Sequence, residues 1–378
     1  MDFFTNCKPA DWKTGFEPRV SVESTMPYEE YARPLEVSGN DKRQYRLVRL
    51  PNNLIALCVQ DSESEVASAS LSVGVGSNGT EKYPKEGEYH EYIANNSGKA
   101  NAYTSFEETN YYFSVVNGAF EGALDRFAQF FISPLFSADC VDRELMAVDS
   151  EYKNKLQDDD RRFYRVMADT SNPAHPYSKF TTGNTQTLRD AANALGLNLR
   201  DEMIKLYNKY YSADNMRLVV VGSHSLDELT EWAASKFSAV ISKGNITPRF
   251  GCHLLSSAEI GKVIRYKTVG EKFNLELEFS IPEIKSTYRS PGSIFSMLRK
   301  NGWATSLFAS SNSGCDDGFT IYRIGVTATP KGLEEYQAIV GLIFAYVKML
   351  KEQGPQEWYF QELAIVKKAK YDYKAREN

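Results

Sequence analysis

Short alternating runs of apolar and polar residues open the chain and then give way to helical spacing. Arg46–Arg49 and Leu54–Gln60, on either side of the turn cluster Pro51-Asn52-Asn53, read as a hairpin. Ala67–Ser77 (ASASLSVGVGS) alternates small and apolar residues, the pattern of a central strand. Glu86–Asn96 suits a helix that stops at Ser97-Gly98, and Lys99–Ser105 and Thr109–Val116 follow as strands. Phe120–Ile132 carries Leu124, Phe127, Phe130 and Phe131 on or near one helical face. Ser137 opens a long helix to about Lys155, and Arg161–Met167 continues helically. Asp201–Tyr211 is a further helix and Met216–Val221 a strand. Ser225–Phe237 begins with Ser225 and Glu228 at capping-box spacing.

The second half starts again with strands, Lys262–Thr268 and Phe273–Ile281, and ends in helices at Leu333–Gln353 and Pro355–Ala375. Pro355 stands at a favourable first-turn position. Strands that lead into paired helices thus occur twice, an internal repeat in topology and an α+β pattern. Residues 1–42 read as an irregular arm, 43–241 as a first domain, 242–257 as a linker without periodicity, and 258–378 as a second, incomplete domain.

Composition narrows the classes. With 378 residues, 42% hydrophobic and 25% charged, the chain is long enough for two packed domains and unlike a disordered one. A net charge of -5 gives no electrostatic pointer to nucleic acid or to an anionic membrane. No apolar run reaches the ~18–20 residues that span a bilayer, and the N-terminus lacks the pattern of a secretory signal. The five cysteines (Cys7, Cys58, Cys140, Cys252 and Cys315) are scattered and show no C-x-x-C spacing. That usage fits reduced thiols and a cytoplasmic location.

Glu144 and Glu151 are seven residues apart, so on a helix they point within about 20° of each other. They flank an apolar stripe of Val141, Leu145, Val148, Tyr152 and Leu156. On pattern alone, such carboxylates are more often solvated than functional. The four histidines, His90, His175, His224 and His253, lack metal-ligand spacing and read as structural or solvated. No G-x-S-x-G nucleophile elbow occurs, no cysteine has a recognisable histidine partner, and the glycines near Gly76 lack the lysine of a phosphate loop. Lys99–Ser105 (KANAYTS) reads, by itself, as a strand of mixed character.

The segment GTEKYPKEGEYHEYIANNSGKANAYTSFEETNYYF, with the later DRELMAVDSEYKNK, closely resembles the insulinase branch of the inverzincin metallopeptidases, and its fungal members best. The resemblance implies two tandem homologous α+β domains, each a mostly antiparallel sheet backed by helices, and hydrolysis of peptides at a zinc ion. It implies that Glu151 is the third zinc ligand and that Glu144 orients a ligating histidine. It also implies that a substrate peptide adds as a strand at Asn101, Ala102 and Tyr103, and that Leu307–Ser310 keeps part of a distal anchoring strand. In the family, two further such domains follow downstream, so a chain ending at Asn378 corresponds to the first half. A partner subunit or C-terminal half and peptides are the partners implied.

In the family it resembles, the other two zinc ligands come from H-x-x-E-H on a helix that would lie between the strand Leu71–Ser77 and Gly79. Here Ser77-Asn78-Gly79 joins the two directly, and H-x-x-E-H occurs nowhere in the chain. The resemblance implies a second helix before Pro291-Gly292-Ser293, and it too is missing here. Two losses after equivalent strands read as a spliced or misassembled gene product, with a dead paralogue as the alternative. The expectation is a metalloendopeptidase by descent that binds zinc poorly and is inactive, or a pseudopeptidase half that binds peptides or pairs with another subunit. Loss of the first helix is also expected to leave Leu71, Val73 and Val75 without apolar cover.

Overall fold

The computed structural model describes residues 15–20, 26–35, 37–72, 80–85, 87–105, 108–244, 252–270, 273–281, 293–312, 320–354 and 357–372. The strands are β1 (Phe16–Val20), β2 (Pro27–Tyr31), β3 (Gln44–Arg49), β4 (Ile55–Gln60), β5 (Val66–Ser72), β6 (Lys99–Thr104), β7 (Thr109–Val116), β8 (Arg217–Gly222), β9 (Asn274–Ile281), β10 (Ala304–Asn312) and β11 (Thr320–Ala328). The helices are α1 (Glu88–Asn95), α2 (Phe120–Ile132), α3 (Ala138–Asn154), α4 (Asp159–Thr170), α5 (Ala191–Ala194), α6 (Leu199–Tyr210), α7 (Leu226–Phe237), α8 (Ile294–Lys300), α9 (Pro330–Glu334), α10 (Tyr336–Gln353) and α11 (Glu357–Asp372).

Two compact units result: Met1–Ala147 with Asn184–Pro248 and Asp372–Asn378, and Val148–Gly183 with Arg249–Tyr371. The division falls inside α3. Each unit is a mostly antiparallel sheet backed by helices, an α+β architecture of two domains.

The first unit holds eight strands in the order β1-β2-β3-β4-β8-β5-β7-β6. All neighbours are antiparallel except β4 and β8, which run parallel. Residues at period two place Ala67, Ala69 and Leu71 of β5 on the same face as Phe113 and Val115 of β7 and Leu218 and Val220 of β8. Against that face lie Phe120, Leu124, Phe127 and Phe131 of α2 and Leu229, Ala233 and Phe237 of α7. The two alanines of β5 leave room for the phenylalanine-rich helix. The expected capping box of α7 is present: Glu228 N–H donates to Ser225 Oγ at 3.2 Å, and Ser225 N–H donates to Glu228 at 2.9 Å.

Three expectations need correction. The leader was read as irregular, yet 16–20 and 27–31 are strands that extend the sheet beyond β3. Leu71, expected to lose cover, is fully buried among the helices just named; Val73 and Val75 lie outside the described residues. Lys262–Thr268 forms no ladder. Side chains hold its end and the two residues after it instead: Arg162 donates to Lys267 O, and Val269 and Gly270 N–H donate to the Asp159 carboxylate at 2.7 and 3.0 Å.

The internal repeat is explicit in the strand order. In the first unit, β5, α1, β6, β7 and α2 follow one another and the strands pair as β5-β7-β6. In the second, β9, α8, β10, β11 and α9–α10 follow one another and the strands pair as β9-β11-β10. Both trios are antiparallel throughout.

In the second sheet, Leu275, Leu277 and Phe279 of β9 face the core built by Ile294, Leu298, Ile339 and Ile343. The alternate residues Glu276 and Glu278 share Arg323 of β11, which approaches them at 3.1 and 2.6 Å under the Phe163 ring. Two carboxylates on one guanidinium leave one charge in surplus, and Glu276 Oε2 has no hydrogen bond. Burial pushes the Glu276 carboxyl above the usual carboxylate range; Arg323 opposes this, and Glu278 and Asp160 add to it. A raised folded-state value means a contribution to stability that is full below the unfolded carboxyl range and lost as pH rises. Glu276→Gln is therefore expected to raise the melting temperature at pH 8, with the gain shrinking toward pH 4. Scanning fluorimetry across that range checks it; a lower melting temperature at pH 8 would show that the second carboxylate is needed.

Candidate functional site

Glu144 and Glu151 both lie on α3, exposed on the side the spacing predicts. Glu151 Oε2 is 3.5 Å from Lys155 Nζ, one turn along the helix, and its side chain is 67% exposed. The four histidines occupy four different settings. His90 sits on α1 edge-on to the Tyr89 ring. His175 is buried, its Nδ1 accepting the Tyr177 N–H at 3.2 Å, and burial lowers its pKa. His224 Nε2 is 3.1 Å from Asn117 O, with the ring beside Phe120 and Trp232. His253 offers its carbonyl to the Asn172 side chain.

Among the described residues, no three His, Cys, Asp or Glu side chains come together in a way that could hold a metal ion. A hydrolytic zinc needs three protein ligands and an open position for water. One exposed carboxylate that pairs with a lysine does not fit that requirement.

The chain on either side of the absent helix is nonetheless firmly placed. Before it, β5 is paired on both sides, with β8 and β7. After it, Thr80 bridges Pro134, Lys82 meets the Asp125 carboxylate at 2.8 Å, and Tyr83 donates its hydroxyl to the same group. The Arg126 guanidinium is held between the Tyr83 and Tyr92 rings, 4.4 and 4.1 Å from their centres, and donates to Glu88 at 3.2 Å. These contacts fasten the turn and the start of α1 onto α2 without help from a further helix.

Asn101, Ala102 and Tyr103 lie on β6, at the edge of the eight-stranded sheet, and are exposed. Nothing in the described residues pairs with the outer side of that strand. The Ala102 N–H donates to the Asn101 side-chain oxygen at 2.8 Å, a local bond that an incoming strand's carbonyl would replace. The sequence reading passed over Glu108. Its carboxylate accepts from Ser72 of β5 at 2.9 Å and from Tyr103 of β6 at 3.3 Å, reaching across β7. Its charge, with some desolvation, raises the Tyr103 hydroxyl pKa. The available signal was the serine alternation Ser68, Ser70, Ser72 on the face opposite the core, where a carboxylate finds hydroxyl donors. Beside it, Ser70 exchanges hydrogen bonds with Asn110.

The pattern of the insulinase family (peptidase family M16) matches residues 75–175, and that of the M16 inactive domain matches 198–292 and 287–365. The chain is 38% identical over 368 residues to the Schizosaccharomyces pombe protein named "Putative zinc protease mug138", covering 89% of this chain and 38% of that one. It is 35% identical over 403 residues to insulin-degrading enzyme of Bos taurus, covering 98% and 40%. That alignment of 403 positions exceeds the 378 residues here, so at least 25 positions of the bovine protein have no counterpart in this chain. The crystal structure of pitrilysin superposes with a TM-score of 0.86 at 29% identity, covering 97% of this chain and 41% of that one. The chain thus spans about two fifths of the length of the relatives it matches. The matches extend over both units and agree with the duplicated domain: the chain belongs to the insulinase family, peptidase family M16.

Proposed function

We propose that this chain is a non-hydrolysing, peptide-binding member of the family. The observation that carries this reading is the absence of H-x-x-E-H from all 378 residues. Glu151 is then the remnant third ligand and Glu144 the remnant of its supporting shell, while Asn101, Ala102 and Tyr103 receive the peptide. In this reading the chain is of fungal type, as its 38% identity to the fission-yeast relative supports, and resides in the cytoplasm. Its domains follow the divisions 43–241 and 258–378. No helix among the described residues is long and apolar enough to cross a membrane.

Without metal and general base, quenched-fluorescent peptides are expected to be cleaved no faster than in buffer alone. Chelator-sensitive cleavage that disappears in Glu151→Gln would overturn the reading. Peptide binding is tested separately by fluorescence anisotropy of a labelled peptide. Ala102→Pro removes one N–H from an edge strand, where proline is tolerated. It should weaken binding about tenfold, the loss of one or two main-chain hydrogen bonds. Equal affinity in that variant would move the peptide to another surface.

A further inference from the structure

From two charges at opposite ends of β6 we infer that this edge selects extended peptides in which an arginine is followed, four residues on, by an acidic residue. The inference rests on the peptide-binding reading above and names the substrate class of that site. Lys99, Asn101 and Tyr103 of β6 pair with Ser114, Tyr112 and Asn110 of β7, which pair in turn with Ser68, Ser70 and Ser72 of β5. These residues alternate with the core positions Ala67, Ala69, Leu71, Phe113 and Val115, so they share the opposite face of the sheet. Lys99 and Tyr103 stand about 13 Å apart along their strand. The contacts of Glu108 with Tyr103 and Ser72 place its carboxylate on this face, over β7 and at the Tyr103 end. Both of those contacts are neutral hydroxyls. Lys99, at the other end, is exposed. Among the described residues, neither Glu108 nor Lys99 has a charged partner. Arg217 of β8, opposite Ser72 in the same row, is engaged by the carbonyl oxygens of Asp214 and Met216 at 3.0 and 2.7 Å.

A strand added to β6 bonds through the outward main-chain groups, the Ala102 N–H among them, and its side chains alternate with the same period. The pairings β5–β7 and β7–β6 are antiparallel, and antiparallel addition is the more stable per residue. The peptide therefore runs from the Tyr103 end toward Lys99. The side chain that it sets beside Tyr103 meets a ring that is 51% exposed, with the Glu108 carboxylate at its hydroxyl tip. A guanidinium suits both, since it stacks on an aromatic face and donates to a carboxylate, which the compact charge of lysine does less well. Four residues later the peptide passes Lys99, whose ammonium favours a carboxylate. Opposite charges across neighbouring strands attract, and like charges directly opposed repel. Two charges of opposite sign at the two ends of one strand thus set the direction and the register of the peptide, which main-chain hydrogen bonds alone leave free.

The test uses the whole chain and the fluorescence anisotropy of three labelled nonapeptides. Each carries two threonines on either side of a core, which is Arg-Thr-Thr-Thr-Glu, Glu-Thr-Thr-Thr-Arg or Gln-Thr-Thr-Thr-Gln. At low salt we expect the arginine-first peptide to bind about tenfold more tightly than the reversed one, with the neutral peptide between them, because two exposed pairs change from attractive to repulsive. Salt at about 0.5 M should narrow the gap. Glu108→Gln and Lys99→Gln should each reduce the preference about threefold. The double variant Lys99→Glu/Glu108→Lys should prefer the reversed peptide, an inversion that a merely structural role for either residue would not produce. Since both side chains are exposed, circular dichroism should show an unchanged fold. Equal affinities for the three peptides in the parent, all weakened by Ala102→Pro, would overturn the charge selection and spare the edge as the binding site. Affinities that Ala102→Pro leaves untouched, or no binding of any peptide, would sink both. A parent that prefers the reversed peptide would overturn the antiparallel register and the inference with it.

Discussion

Inserting a family-type helix with H-x-x-E-H between Ser77 and Asn78 is expected to change zinc content from far below one ion per chain to one. Elemental analysis after dialysis reads this directly. The large effect follows from ligand count: apparent zinc affinities of about 10–16 kcal/mol in structural sites require a full set of ligands. The chain offers Glu151 alone, exposed and beside Lys155. The insertion should succeed because both flanks are fixed independently, β5 by its two neighbours and the turn after Thr80 by Asp125, Arg126 and Pro134. Glu151→Gln in the inserted chain should return zinc to background, because two histidines without the carboxylate leave the site one ligand short. A stoichiometric, chelator-sensitive zinc in the unmodified chain would refute this account and turn attention to His90.

The largest expected effect on stability belongs to Phe127→Ala. Phe127 is 1% exposed and packs against the rings of Tyr89, Phe113, Phe131 and Phe237, which join α1, β7, α2 and α7. Truncating a buried phenylalanine costs about 3–5 kcal/mol, a large part of the ~5–15 kcal/mol that holds a domain together. Trp232, packed against the same core, makes the first unit visible by fluorescence during urea unfolding. The midpoint should fall strongly while the transition of the second unit stays in place. A loss under about 1 kcal/mol would mean that the aromatic layer between sheet and helices is not what closes this unit. Since Leu71 is also buried in that layer, the unit should fold without the absent helix, in contrast to the exposure that the sequence alone led one to expect.

Legibility in the sequence tracked local periodicity. Phe120–Ile132 was readable from end to end because a dense apolar face and a helix coincide there. The capping box at Ser225 and Glu228 was readable because it is a four-residue device. Phe16–Val20 and Pro27–Tyr31 were not, since FEPRV and PYEEY contain proline and glutamate, residues poor in strands yet tolerated toward a sheet edge. The segment 262–268 misled in the opposite sense: its apolar residues resemble a strand, but it forms no ladder, and side chains hold its end, Arg162 at Lys267 O and the Asp159 carboxylate at the Val269 N–H that follows. For the candidate site, sequence likeness marked Glu144, Glu151 and residues 101–103. It did not mark Glu108, whose contacts with Ser72 and Tyr103 depend on three strands lying side by side.

The position of β8 has a consequence for how the protein is made. It lies between β4 and β5, so residues 217–222 complete a sheet whose neighbouring strands end at Gln60 and Ser72. At about 5–20 residues per second, a ribosome emits β8 roughly 8–30 seconds after β4. During that interval both flanking strands present open edges, and closing so long a loop is slow. Nascent chains released before residue 222 should therefore be sensitive to protease and bound by chaperones. Chains only slightly longer should become resistant together across the whole first unit.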